Sequence, residues 1–255
     1  MVIASAMSGY IKLENVNVSG VDTLTRASSL RQWFIKRKSM RSTHIPILRD
    51  INFTAQSGDR IALIGMNGSG KSSMLKVISG NYPIESGTRE VQGSIVPLIE
   101  MGAGFESEIT GRANIKLSFA YRGRLREYSK DLEEQIIAFS ELGAKIDLPL
   151  KTYSSGMQSR LAFSSAIFQH PEILLLDEVL AAGDAGFSEK STKLLLSKID
   201  QAQITIIVSH SLDQVKKICN RFILLSQGRI INDGAANDVI RQYEKDILGL
   251  SEQAA

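Results

Sequence analysis

The sequence predicts an α/β fold, a buried sheet flanked by helices, and three observations carry that expectation. Short apolar runs at residues 61–64, 173–176 and 222–225 have the composition of strands covered on both faces. Segments of helical periodicity lie between them. A glycine-rich turn leads from the first run directly into a helical pattern, which is how parallel strands and helices alternate in such folds.

Taken in order, residues 11–18 alternate apolar and polar, as in a half-buried strand. Residues 51–55 alternate likewise and are closed by the turn Ser57-Gly58-Asp59. Residues 60–64 form a buried strand, and residues 71–78 read as a helix. From about 106 to 170 the chain is rich in Arg, Glu, Gln, Leu and Ala, with Leu132, Ile136, Ile137 and Phe139 at helical spacing. This is the pattern of an inserted helical subdomain. Strands return at 173–176, 204–208 and 222–225, and residues 236–248 read as a terminal helix. The expected organisation is therefore a first part of the core at 1–105, helices at 106–170, a second part of the core at 171–235, and a tail at 236–255.

Composition narrows the function classes. With 43% apolar and 22% charged residues, the chain is ordinary for a globular protein rather than a disordered one. No apolar run exceeds four residues, far below the roughly 20 that span a bilayer, so the chain is not itself a channel. Cys219 stands alone and cannot form an internal disulfide, which fits a cytoplasmic address. The first seven residues lack the features of a signal peptide. The net charge is +3, yet Arg26, Arg31, Lys36, Arg37, Lys38 and Arg41 sit together in 26–43 without an acidic neighbour, leaving the remainder at −3. The basicity is a local patch, not a general nucleic-acid-binding surface. Leu30, Trp33 and Phe34 give a helix over 27–38 one apolar face, suited to a membrane surface or a membrane subunit; a solvated loop is the alternative.

Chemistry concentrates at Gly65-Met66-Asn67-Gly68-Ser69-Gly70-Lys71-Ser72-Ser73, which matches the phosphate-loop pattern G-x-x-x-x-G-K-[ST] between a strand and a helix. Its glycines let successive backbone N–H groups turn inward as an anion nest beside a positive helix terminus. Lys71 would reach the β- and γ-phosphates and the Ser72 hydroxyl would ligate Mg²⁺. The apolar strand ending in Asp177-Glu178 supplies two carboxylates. Placed beside the phosphate strand, Asp177 would hold Mg²⁺ and Glu178 would act as general base on the attacking water. His210 follows strand 204–208 and would reach the γ-phosphate as a donor.

These residues, with Tyr153-Ser154-Ser155-Gly156-Met157-Gln158 ahead of the Asp177 strand, resemble the ATP-binding subunit of ABC transporters over about residues 10–235. The resemblance implies a P-loop NTPase of ABC type, with an antiparallel β subdomain near the N-terminus. It implies that Ser154, Ser155, Gly156 and Met157 contact ATP held by the opposite subunit of a homodimer, and that Asp184 crosses the dimer interface. Ser-Ser-Gly also suits a helix N-cap, and both roles are compatible. Tyr-Ser-Ser-Gly-Met, Gly102-Ala103-Gly104-Phe105 before Thr110-Gly111-Arg112-Ala113-Asn114-Ile115, and residues 177–184 are similar to the bacterial exporters of O-antigen, capsule or teichoic acid. That implies ATP and Mg²⁺ as cofactors and two copies of a six-helix membrane permease as partners. It also implies a lipid-linked polysaccharide substrate and a place on the cytoplasmic face of the inner membrane. Too little chain follows Ala235 for a carbohydrate-binding β-sandwich, so a member without one is expected. Two positions depart from the family. Gly20 stands where an adenine-stacking aromatic is usual, leaving Trp33, Phe34 and His44 as candidates. Glu100 is the nearest polar substitute for the usual glutamine, with metal and water both open as its contact. A nucleic-acid clamp of this fold would need long coiled-coil insertions or two fused cassettes, and a passive ATP sensor would not need Glu178 and His210.

Overall fold

The computed structural model describes residues 9–21, 44–99, 101–177, 185–209 and 211–247. The described residues form two sheets and a helical layer. Strands β1 (Tyr10–Val21), β2 (His44–Gln56) and β4 (Ser86–Gln92) form an antiparallel sheet in the order β2-β1-β4. The second sheet runs β5-β6-β7-β3-β8-β9, with β3 at Arg60–Ile64, β5 at Ile95–Leu98, β6 at Ile173–Asp177, β7 at Ile204–Val208, β8 at Arg221–Ser226 and β9 at Arg229–Gly234. Its strands are parallel except β9, which returns antiparallel on β8.

The parallel strands look continuously apolar because each face meets its own core. In β3, Ile61 and Leu63 join a cluster with Met74, Leu75 and the inward residues of β1, while Ala62 and Ile64 join a second cluster on the other side. β6 and β8 divide their side chains in the same alternating way. Removing one of these fully buried aliphatics, such as Leu63 to Ala, costs about 2–5 kcal/mol.

Helix α1 (Lys71–Ser79) packs on the first core. Residues 111–167 supply α2 (Gly111–Tyr121), α3 (Lys130–Ser140) and α4 (Ser155–Ile167), whose shared core includes Ile115, Phe119, Ile136 and Leu161. Each begins on a hydroxyl cap: Thr110 accepts from the Ala113 N–H at 3.1 Å, Ser129 from Leu132 at 3.2 Å, and Ser154 from Met157 at 3.3 Å. Helices α5 (Ala185–Gln201), α6 (Leu212–Ile218) and α7 (Ala236–Gln242) complete the second face. The expected terminal helix is shorter than its pattern, passing into a π-helical turn at Tyr243–Ile247. The expected basic helix at 27–38 lies outside the described residues.

Candidate nucleotide-binding site

The phosphate loop leaves β3 at Gly65 and enters α1 at Lys71. Gly70 caps α1 with φ at 107° and ψ at 5°, and no side chain caps the helix, so its first N–H groups face the loop without a side-chain acceptor. Within the loop the Ser69 N–H donates to the Met66 carbonyl at 3.1 Å. Lys71 is 7% exposed, and its Nζ donates to the carbonyls of Gly65 at 2.7 Å and Met66 at 2.9 Å. Carbonyls are thereby drawn to the lysine. The Ser69 hydroxyl is buried without a hydrogen-bond partner among the described residues. An unpaired buried donor next to a helix N-terminus suits an incoming anion. A pocket of about 650 Å³ opens here, lined by Asn67, Gly68, Gly70, Lys71, Ser72 and Ser73, with Ile47 from β2.

The second carboxylate element sits farther along the sheet than the sequence suggested. β6 is not beside β3, because β7 lies between them. β7 pairs in parallel and without a register shift on both sides, with β3 and with β6. Leu63 pairs Val208, and Val208 pairs Asp177, so the three strands end level. Asp177 is half-buried at that edge, two strand spacings or about 10 Å from β3. The chain leaves β7 through Ser209, whose hydroxyl accepts from the Ser211 N–H at 3.1 Å. The strands' carboxyl ends, where open α/β sheets bind ligands, thus carry the loop, Asp177 and the exit toward residue 210 on one edge. Glu178, His210, Asp184 and Glu100 lie outside the described residues.

The donor set fits Mg²⁺. That ion keeps several waters and takes one or two protein ligands beside phosphate oxygens, and Ser72 in the first turn of α1 with Asp177 on the same edge is such a set. No group of three or more His, Cys, Asp or Glu converges among the described residues.

Ser154, Ser155, Gly156 and Met157 lie away from this loop, at the N-terminus of α4. A Cβ on Gly156 would meet only the Ser154 hydroxyl, at 4.0 Å, so nothing within the chain crowds it. Of the two roles expected of this segment, the helix cap is the one seen, in the Ser154 hydroxyl accepting from the Met157 N–H. Beneath it, Tyr153 is buried and donates to the Lys145 carbonyl at 2.7 Å, and burial raises its pKa above the usual 10.

Where a stacking aromatic was expected from the resemblance, Gly20 pairs Ile45, and a Cβ there would stand 3.0 Å from Ile47 Cδ1. Ile47, which the sequence reading did not single out, gives the pocket an aliphatic wall. Trp33 and Phe34 lie outside the described residues, and His44 begins β2. Asn114 was also seen only as part of a longer string. It is fully buried, accepting from the Glu106 N–H at 2.7 Å and donating to the Glu106 carbonyl at 2.9 Å, which ties the segment after Phe105 to α2. The available signal was an asparagine on the same helix face as Ile115, Ser118 and Phe119.

A model of the ABC transporter family matches residues 48–181. The chain belongs to that family. An O-antigen export system ATP-binding protein RfbB of Myxococcus xanthus is 39% identical over 232 residues, 91% of this chain and 53% of that protein. A Klebsiella pneumoniae RfbB is 38% identical over 198 residues, 78% of this chain and 80% of its own length. The teichoic acids export ATP-binding protein TagH of Enterococcus faecalis is 40% identical over 199 residues, 77% of this chain and 44% of TagH. The chain thus spans about half the length of the first and third of these ABC proteins. Among solved structures, the ATP-binding cassette MJ0796, a dimer in a post-hydrolysis state with ADP and Pi, superposes with a TM-score of 0.66 at 19% identity, covering 89% of this chain and 98% of that one. An ATP-binding subunit of an ABC transporter gives 0.65 at 20% identity, covering 91% and 92%. The fold is that of ABC ATPases.

Proposed function

We propose that this chain is the ATP-hydrolysing subunit of an ABC transporter that exports a lipid-linked polysaccharide across the bacterial inner membrane. The observation that carries the motor reading is the phosphate loop on the same sheet edge as Asp177. Identity of 38–40% to ATP-binding proteins of O-antigen and teichoic acid export supports the glycan class. O-antigen or capsule is our preferred substrate, with teichoic acid as the second reading.

In this mechanism the inward N–H groups of residues 65–73 and Lys71 hold the β- and γ-phosphates. Ser72 and Asp177 would hold Mg²⁺, which when bound would supply positive charge against that developing on the phosphate oxygens. Glu178 takes a proton from the attacking water, and His210 donates to the γ-phosphate. Ser154 through Met157 of a second copy cap the same nucleotide, so two copies close over two ATP molecules, and Asp184 lies along that junction. Closure is passed to two copies of a six-helix permease at the cytoplasmic face. Glu100 and basic segment 26–43 are the chain's contacts with metal or water and with the membrane side, respectively. Nucleic acid has no part in this cycle.

The test is ATP turnover by the chain with its permease, read beside surface glycan in a strain lacking the natural subunit. Lys71→Ala is expected to abolish nucleotide binding, and Glu178→Gln to keep binding while turnover falls at least about tenfold. Parental turnover in Glu178→Gln overturns the assignment of the base. Restored teichoic acid without restored O-antigen or capsule decides for the second reading.

A further inference from the structure

The phosphate loop is gripped from behind by the turn joining β8 to β9. Ser226 pairs Arg229, so Gln227 and Gly228 are the two turn residues, with φ at 47° and 77°. Both are left-handed, which makes this a type I′ hairpin turn. The Gly228 N–H donates to the Ser69 carbonyl at 2.9 Å, and the Gly228 carbonyl accepts from the Arg49 N–H of β2 at 2.8 Å. One residue therefore bonds the loop on one side and the antiparallel sheet on the other. There is no room for more than a hydrogen: a Cβ on Gly228 would lie 2.4 Å from the Ile47 carbonyl oxygen. The loop is seated equally closely, since a Cβ on Gly70 would lie 2.8 Å from Leu48 Cδ2 and one on Gly65 2.2 Å from the Leu225 oxygen.

The direction of these bonds matters for anion binding. A planar trans peptide points its C=O and the next N–H in opposite directions. Pulling the Ser69 carbonyl outward onto Gly228 therefore aims the Gly70 N–H away from the turn, toward the pocket that Gly70 lines. We propose that Gly228, distant in sequence from the phosphate loop, is a positioning residue that fixes the Ser69–Gly70 peptide in its anion-binding orientation. The inference rests on the reading of that loop as a nucleotide site.

Gly228→Ala removes this seat, and Gly87→Ala is the matched control. Gly87 has φ at 93° and a Cβ site 2.5 Å from the Glu14 and Asn15 carbonyl oxygens, but it lies in β4, on the far side of β1 from β2. Titration with a fluorescent ATP analogue and Mg²⁺, at a temperature where melting curves show both variants folded, is expected to give Gly228→Ala a Kd about tenfold above the parent, the loss of roughly one well-made hydrogen bond. Gly87→Ala is expected to melt earlier but bind as the parent does. Parental affinity in Gly228→Ala, or equal losses in both variants, overturns the inference. A parent that fails to bind, or Lys71→Ala that binds normally, removes the nucleotide reading beneath it instead. Hydrogen exchange on the unaltered protein provides a reading without any substitution. ATP with Mg²⁺ should slow exchange at the Gly228 and Arg49 amides together with the loop; slowing confined to the loop overturns the proposal.

Discussion

The Tyr153 hydroxyl lies 2.2 Å from the point where a Cβ on Gly111 would stand. The first turn of α2 thus rests directly on the tyrosine preceding the Ser154 cap, and the bare backbone at 111 is what admits the ring. Two of the strings that marked this chain as a polysaccharide-exporter relative are one packed joint.

Gly111→Ala should therefore destabilise by about 1–3 kcal/mol through overpacking. Tyr153→Leu should cost a similar amount by losing the bond to Lys145. Because the second change vacates the space that the first needs, the double variant should lose less than the sum, by about 0.5–3 kcal/mol. Strict additivity in urea unfolding would show that the contact is not what limits residue 111.

Gln227 holds a left-handed conformation that asparagine adopts more readily. Gln227→Asn should raise the melting temperature by about 1–2 °C, as expected for a gain of about 0.5 kcal/mol in a chain of this size. An unchanged or lower melting point would show that the glutamine side chain makes up the difference.

Glu133 is almost wholly buried in the helical layer, where burial by itself would raise its pKa. Hydrogen bonds from the Tyr128 hydroxyl, Lys130 Nζ at 3.0 Å and Arg112 at 3.0 Å outweigh this and lower it below the ordinary glutamate value, while burial and the same carboxylate push Tyr128 up to about 12. A carboxyl with a depressed folded pKa adds stability above its unfolded pKa and loses it as pH falls through the folded value. Melting temperature should hence fall more steeply on acidification below about pH 4.5 in the parent than in Glu133→Gln. Parallel pH profiles for the two proteins would remove Glu133 as a contributor.

Burial pushes the Cys219 thiol up to about 12 against the smaller opposing effect of Arg60. Its thiolate fraction at pH 8 is then negligible, so alkylation by iodoacetamide should be at least about a hundredfold slower in the folded protein than in denaturant. Comparable rates, followed by mass spectrometry, would contradict this.

The central strands were legible because each buries both faces, and the phosphate loop because Gly65, Gly70, Lys71 and Ser72 stand at a fixed spacing between a strand and a helix. β4 and β9 were not. β4 is exposed at most positions and pairs, among the described residues, with β1 alone, and β9 lies at a sheet edge with alternate residues in solvent, so neither carries a strong apolar pattern. β5 is short and contains Pro97. The order β6-β7-β3 was hidden for another reason: crossover connections decide which strand fills a gap, and no local residue records it. The role of Gly228 was invisible because its partners, Ser69 and Arg49, are contacted through backbone atoms alone.

Helix α4 belongs to two cores. Leu161 packs with α2 and α3, while Phe163, Ala166 and Ile167 pack under the parallel sheet with Leu174 and Leu176. Its thirteen residues make a rod about 20 Å long, with Ser154 at the outer tip and the other end wedged against the strand that finishes in Asp177. The helical layer and the parallel sheet are thus spanned by one unbroken element, with no loop between the Ser154 end and the side chains seated under the sheet.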